Sequence, residues 1–295
     1  MNAPRKSNHV NLIQKKIRGF NLIWFTIAQE FPMNEFIEAN KQSWATLAQD
    51  HYEVFKKQLQ EKDTLLRQTQ IEELGNLQGK KLIHLQCNTG ADTISLARMG
   101  ATVTGVDLVP ENIHFAQKLA ADFDIHDARF IESNVLEIMD FHDEKYDIVF
   151  TTEGVLGWLP DLNLWARNIR HLLAKDGFLY VMDGHPFFMV WDEEKLPDLV
   201  VKYPYFQKTA DKDEWIGGYA SEPKKSDNYY WMYTIGEIIN AISQAGMHLE
   251  WFHEFDWLYY KESEDRQVLD EGGNWVFPEY RGKLPFTFSL KATVR

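Results

Sequence analysis

Between residues 34 and 77 apolar side chains return at helical intervals. Phe36, Ile37, Trp44, Leu47, Ala48, Tyr52, Val54, Phe55 and Leu59 recur with charged residues between them, the pattern of amphipathic helices with one buried face. Gly75 and Gly79 bracket a break, and beyond it the texture changes. The apolar run 81–86 suits a buried strand. Residues 92–99 read as a helix stopped by Gly100, and 102–106 as a β-branched strand ending at Asp107. Pro110 fits the first turn of a helix over 110–123. Further strands are predicted at 129–132, 146–150 and 178–182. A helix at about 162–173 precedes the last of these, and Gly177 turns the chain into it.

Residues 187–233 interrupt this rhythm. They are rich in aromatics, Pro and Gly, including Trp191, Tyr203, Tyr205, Phe206, Trp215, Tyr219, Tyr229, Tyr230 and Trp231. A helix returns at 235–245, ends at Gly246, and is followed by strands near 249–257 and 286–294. Regular alternation of strands and helices implies right-handed crossovers and a largely parallel sheet covered on both faces. The expected fold is therefore α/β and doubly wound. A helical cap is expected at 33–78, a Rossmann-like core at 79–186, an aromatic-rich cap at 187–233, and a completing helix and strands at 234–295. Residues 1–32 form an N-terminal extension of separate character.

Charge and cysteine content narrow the function. The net charge of −13 repels phosphate backbones, so nucleic acid is not expected as a partner. The one basic cluster, Arg5, Lys6, Lys15, Lys16 and Arg18, lies in the extension. Its apolar run at 19–28 superficially resembles a signal peptide, but Asn21, Thr26 and Gln29 interrupt that run or follow it closely, and no small-residue cleavage site is clear. A plainer reading makes Met33 the start and 1–32 an upstream extension. A single cysteine, Cys87, excludes an intrachain disulfide and a thiolate zinc cluster, so a cytoplasmic setting without metal is expected. No apolar run reaches the roughly 18 residues of a membrane span.

The candidate chemistry sits at the first two strand ends. The loop His84-Leu-Gln-Cys-Asn-Thr-Gly90 joins a strand to a helix, where backbone N–H groups are exposed to a ligand. About 20 residues on, Asp107 ends the next strand, the position of an acid that accepts ribose hydroxyls. Together these point to an adenosine-containing ligand. The Gly-x-Gly-x-x-Gly spacing of dinucleotide enzymes is absent, which weighs against NAD.

At this point the sequence resembles a family. The turn Cys87-Asn88-Thr89-Gly90, the run Gly100-Ala-Thr-Val-Thr-Gly-Val-Asp107, Ser133-Asn-Val135, Tyr146-Asp-Ile-Val-Phe150 and Leu172-Leu-Ala-Lys-Asp-Gly-Phe-Leu179 are similar to motifs of the class I, Rossmann-like S-adenosylmethionine-dependent methyltransferases. The resemblance covers roughly residues 80–186. It implies a mostly parallel seven-stranded sheet with an antiparallel C-terminal strand, and S-adenosyl-L-methionine as cofactor. It further implies that Gly90 and the loop backbone, with His84, Gln86 and Asn88, face the methionine moiety, and that Asp107 binds the ribose. Leu108 would pack on adenine, Asn134 would accept from its amino group, and the Val135 N–H would meet a ring nitrogen. Thr151, at the end of strand four, completes the expected cofactor set. The family's loop usually reads Asp/Glu-x-Gly-x-Gly-x-Gly; here His84, Gln86 and Asn88 replace the acid and two glycines, so the methionine end is expected to diverge.

In this topology a second substrate also sits beyond the carboxyl ends of the strands. Glu153, Asp183 and His185 are the ionisable groups placed there, with Glu153 and His185 the candidates for proton transfer. The plainer alternative is that His185 caps the turn before Pro186 and Glu153 bonds loop backbone or the cofactor's ammonium. A sulfonium is already activated, so alignment alone can supply most of the catalysis. Trp44, Tyr52 and Trp158 are candidates for closing the site by aromatic faces, with core packing the ordinary alternative for each. The expected acceptor is a small apolar or aromatic molecule. Alternatives are transfer to a protein or tRNA, or a ligand-binding protein that has lost transfer.

Overall fold

The computed structural model describes residues 33–262 and 266–294, all within the unit Met33–Arg295. The extension at 1–32, with the readings made of it, lies outside the described residues. Three helices come first, α1 (Met33–Ala45), α2 (Ala48–Glu61) and α3 (Gln68–Leu74). The strand–helix alternation then runs β1 (Lys81–Leu85), α4 (Ala91–Arg98), β2 (Thr102–Asp107), α5 (Pro110–Asp122), β3 (Arg129–Glu132), β4 (Tyr146–Thr152), α6 (Leu162–Leu172) and β5 (Leu173–Gly184). After β5 come the hairpin β6 (Asp211–Ile216) and β7 (Lys224–Tyr230), α7 (Ile235–Gln244) and β8 (His248–Phe255). A second small hairpin, β9 (Val268–Leu269) and β10 (Trp275–Val276), precedes β11 (Thr287–Thr293).

Seven strands form one sheet in the order β3-β2-β1-β4-β5-β11-β8. β11 runs antiparallel to both β5 and β8, and the other paired strands are parallel. This is the doubly wound α/β sheet with an antiparallel C-terminal strand that was expected. The crossover from β3 through β1 to β4 places the switch in strand order at β1, so the carboxyl ends of β1, β2 and β4 open onto one crevice.

Alternate strand residues explain why both faces are covered. Ile83, Leu85, Val149, Leu179 and Val181 join the core built with α6 and α7. Leu82, Ile148, Phe150, Tyr180 and Met182 join the opposite core, with Leu74 of α3 and Leu96 of α4. Strands buried on both sides read as unbroken apolar runs, which is how β1 and β4 read in the sequence. The clearest single helix is α6. Leu162, Trp165, Ala166, Ile169 and Leu172 form one buried stripe, and the Asp161 side chain accepts from the Leu164 N–H as its N-cap. Burying each large apolar side chain contributes about 1.5–3 kcal/mol. In α7, Thr234 and Glu237 form a reciprocal capping box.

Three elements differ from the sequence expectation. The fifth strand starts at Leu173, and Gly177 lies inside it, because Leu173 already pairs with Tyr146. The aromatic segment after β5 contains the β6–β7 hairpin, and a further insertion, at 256–286, stands between β8 and β11. Among the described residues no helix is long and apolar enough to cross a membrane, and no cluster of three or more His, Cys, Asp or Glu could hold a metal ion.

Candidate active site

The β1–α4 loop is held in an unusual backbone path by its own side chains. Gln86 (φ 57°), Asn88 (φ 50°) and Gly90 (φ 80°) all lie in the left-handed region. Gly90 is required there on two counts. It caps α4 with positive φ, and an added Cβ would sit 2.9 Å from the Ala116 side chain and 3.2 Å from Phe130. Asn88 and Gln86 are held in the same backbone by hydrogen bonds at one end of each side-chain amide. Asn88 Oδ1 accepts from its neighbour Thr89 N at 2.6 Å and from His51 Nδ1 at 3.2 Å. Gln86 Nε2 donates to the Val155 carbonyl at 3.0 Å, tying this loop to the one after β4.

Asp107, at the end of β2, is buried. Its Oδ2 accepts from Asn88 N at 2.8 Å, and its Oδ1 accepts from Val109 N and Asn112 Nδ2, both at 3.0 Å. Burial pushes its pKa up while these donors pull it down. A carboxylate offers about four acceptor positions, and most are taken here, so a pair of ligand hydroxyls would have to share with, or displace, a protein donor. Asn134 is similarly engaged. Its Oδ1 accepts from Leu136 N at 3.0 Å, and its Nδ2 donates to Glu137 at 3.2 Å. Leu108 is half-buried beside Asp107, while Val135 is buried. Thr151 is fully buried and its hydroxyl meets no described partner.

His84 is enclosed by protein. It is buried on β1, its Nδ1 lies 2.9 Å from Thr93 Oγ1, and its ring meets Phe150 edge-on at 5.0 Å. Burial drives its pKa down to about 3, so it is neutral at physiological pH. The carboxylate that the resembled family keeps here is thus replaced by an uncharged core residue.

The ionisable groups at the ends of β4 and β5 also have protein partners. Glu153 Oε1 accepts from Arg67 Nε at 3.0 Å and from Gln70 Nε2 at 3.3 Å. Asp183 accepts from the backbone N–H groups of Gly154, Val155, Leu156 and Gly184 at 2.7–3.0 Å, so it fixes the loop after β4. His185 Nδ1 accepts from Phe187 N at 3.0 Å, which requires Nε2 to carry the proton it shares with Glu254 at 3.0 Å. This is the turn-capping arrangement given as the plainer alternative for His185, with its one lone pair occupied at the turn.

Aromatic rings converge above these strand ends. Trp44 of α1 and Trp158 meet edge-to-face at 5.2 Å, and Trp158 meets Tyr230 of β7 at 5.3 Å. His51 of α2 lies 4.9 Å from Tyr219, at the tip of the β6–β7 hairpin. Gly157 lets the hairpin close down, since a Cβ there would stand 1.9 Å from the Tyr230 ring. Tyr52 is not part of this wall. It stacks on Phe115 at 5.1 Å and hydrogen-bonds Asp122, so it belongs to the α2–α5 interface. A narrow cleft with about 20 Å³ of free space lies beside the wall, lined by Leu156, Asp183, Gly184, Met189, Tyr230 and Met232 among others.

Sequence reasoning missed His51, Arg67, Tyr219 and Tyr259 as site residues, and read Asp92 only as a helix start. Tyr259 arrives from the 256–286 insertion, its hydroxyl 3.4 Å from Asp183 Oδ1. The pairing of Gly217 and Gly218 before Tyr219 was the one available signal for a hairpin tip.

Comparison with known proteins agrees with this geometry. Residues 83–179 match the methyltransferase domain family. The chain is similar to the ubiquinone biosynthesis O-methyltransferase of Actinobacillus pleuropneumoniae serotype 5b, with 33% identity over 119 residues. That stretch is 39% of this chain and 50% of the relative, so the chain spans about half the length of the curated relatives it matches. Among solved structures it is similar in fold to an S-adenosylmethionine dependent methyltransferase from Mesorhizobium loti (TM-score 0.52, 16% identity, 75% of this chain and 94% of that one). It is also similar to DhpI in complex with S-adenosylhomocysteine (TM-score 0.50, 15% identity, 88% and 97%). With its sheet order, its strand-end loop and acid, and these matches, residues 83–179 are similar to the methyltransferase domain family, and the chain has the fold of the class I, Rossmann-like S-adenosylmethionine-dependent methyltransferases.

Proposed function

We propose that this protein binds S-adenosylmethionine over the carboxyl ends of β1, β2 and β4 and transfers its methyl group to a small apolar or aromatic acceptor. The observation that carries the reading is the convergence, at one crevice, of the Gln86–Gly90 turn, the buried Asp107 carboxylate and the Trp44–Trp158–Tyr230 wall. The donor set fits the cofactor: an acid for the ribose at Asp107, loop backbone at Asn88 and Gly90, and apolar cover from Leu108 and Val135 for the base. His84, Gln86 and Thr151 support the loop from beneath in this reading, and Asn134 turns the chain beside the adenine.

When bound, the cofactor supplies an activated methyl group on a sulfonium. The chain's own residues supply position. Trp44, Trp158 and Tyr230 hold an acceptor by apolar contact and exclude water, and their faces favour neighbouring positive charge. Transfer by in-line displacement then draws on alignment. Glu153 and His185 shape the pocket, since Arg67 and the Phe187 N–H occupy them. An acceptor oxygen on an apolar ring is the class suggested by the O-methyltransferases of similar sequence.

Titration calorimetry with S-adenosylmethionine and S-adenosylhomocysteine tests the reading. Saturable binding by the wild-type protein is expected, and Asp107→Ala should weaken it by about 1–3 kcal/mol, the worth of hydrogen bonds to a charged acceptor. Absence of binding by the wild-type protein would overturn the function. Undiminished binding by the variant would overturn the role of Asp107.

A further inference from the structure

The first strand of this chain ends without the acid that the family keeps for the cofactor's ammonium, and the substitute there, His84, is neutral and buried. Some other negative charge must face that end of the crevice, or the ammonium would be left in a poorly solvated site without a counter-charge. Three carboxylates stand near it. Asp107 is engaged by three donors at the ribose end. Glu153 is paired with the Arg67 guanidinium and the Gln70 amide. Asp92, in the first turn of α4, is different. It is only partly exposed, and no described donor lies within hydrogen-bonding distance of its carboxylate.

We propose that Asp92 provides the counter-charge for the α-ammonium of the methionine moiety, replacing across the loop the acid that position 84 lacks. This rests on the cofactor reading above and concerns how that cofactor is held. The placement is independent of the loop argument. Asp92 lies two residues beyond Gly90, at the start of α4 on the same strand-end loop, and it acts electrostatically on the Tyr219 hydroxyl at the hairpin tip, as do Asp107 and Glu153, so it belongs to the same region as the ribose acid and the Arg67-paired acid. The groups facing Asp92 are Glu153 from the end of β4, Arg67 from the turn before α3 and Tyr219 from the hairpin. Arg67 acts on Asp92 through its charge alone, and its hydrogen bonds go to Glu153, the Tyr259 and Gly273 carbonyls and the Asn274 side chain.

The proposal has a proton consequence. Burial and the neighbouring Glu153 raise the Asp92 pKa from 3.8 to about 7. An arriving ammonium favours the ionised carboxylate, so at neutral pH the Asp92 O–H bond breaks and a proton leaves to solvent. Ligands with the amine should release that proton, and ligands without it should not.

Three probes separate the outcomes by calorimetry at pH 7 in buffers of different ionisation enthalpy. S-adenosylhomocysteine carries both amine and carboxylate, its decarboxylated analogue carries the amine alone, and 5′-methylthioadenosine carries neither. Asp92→Asn should weaken the two amine-bearing probes by about 10- to 100-fold, the range for loss of a charge-assisted hydrogen bond. It should leave 5′-methylthioadenosine unchanged and abolish the proton release. Asp92→Glu should restore part of both effects, which a merely structural defect would not allow. Equal weakening of all three probes, or none, overturns the proposal while leaving the cofactor reading intact. Failure of the wild-type protein to bind S-adenosylhomocysteine overturns both.

Discussion

Replacing Asp92 with asparagine should stabilise the ligand-free protein above neutral pH and change little in acid. The Asp92 pKa rises from 3.8 to about 7 through burial first and the Glu153 charge second, with Arg67 opposing. A carboxyl whose folded pKa exceeds its unfolded value binds more protons in the native state, so its contribution to stability falls as pH rises between the two values. Below pH 3.8 the group is neutral in both states and resembles asparagine. Through the window from 3.8 to about 7 the penalty grows by about 1.36 kcal/mol per pH unit, to a ceiling of about 4 kcal/mol. Partial exposure and water in the cleft reduce this, so a gain of about 1–2 kcal/mol is expected for the variant at pH 8. Some of that gain reaches Glu153, which no longer faces a second negative charge. Urea unfolding at pH 5, 6.5 and 8, without nucleoside, measures it as a shift in midpoint at constant slope. The reasoning fails if the variant is no more stable than wild type at pH 8, or if the difference does not shrink toward pH 5. A variant that gains stability while losing ligand affinity would show strain kept for binding.

Three further changes probe other parts of the site. Gly157→Ala puts a Cβ 1.9 Å from Tyr230 and should destabilise by about 1–3 kcal/mol through overpacking; an unchanged thermal midpoint would mean that the hairpin does not seat on that glycine. Arg67→Ala strips Glu153 of its cation and should cost about 3–5 kcal/mol, the toll of an unpaired buried charge, with the loss greatest above the Glu153 pKa and relieved in acid. A pH-independent loss in denaturant melts would contradict that account. Trp158→Ala removes the ring between Trp44 and Tyr230 and should raise the KM for an aromatic acceptor more than it weakens S-adenosylhomocysteine in calorimetry. The reverse ordering would move Trp158 to the cofactor side.

Much of the core could be read from the chain because its signals are local. A buried parallel strand is an apolar run, and β1, β2 and β4 sit within a residue or two of their expected bounds. Gly90 and Asp107 declare themselves by position at strand ends. The β6–β7 hairpin was not legible because its strands carry Lys212, Asp213, Glu214, Lys224 and Lys225, and charge on both faces hides the alternation of a strand. Tyr52 stayed open between site wall and core because α2 packs on α5 as well as bordering the crevice, and spacing alone does not say which apolar partner a helical face meets. Asp92 and Arg67 were invisible for a different reason. Their significance lies in partners far away in sequence, Glu153 at 61 and 86 residues, and no local pattern encodes such distances.

The Arg67 guanidinium gathers Glu153, the Tyr259 carbonyl, the Gly273 carbonyl and the Asn274 side chain. The segment that carries Tyr259 toward Asp183 is therefore moored to the same cation that pairs with Glu153 beyond the end of β4. The two halves of the site are not separable modules. Exchanging the 256–286 insertion for one from another enzyme, as a way to change acceptor preference, would import a loop without its mooring unless its new residues offered Arg67 the same carbonyl pair. Redesign of specificity in this protein has to begin at Arg67.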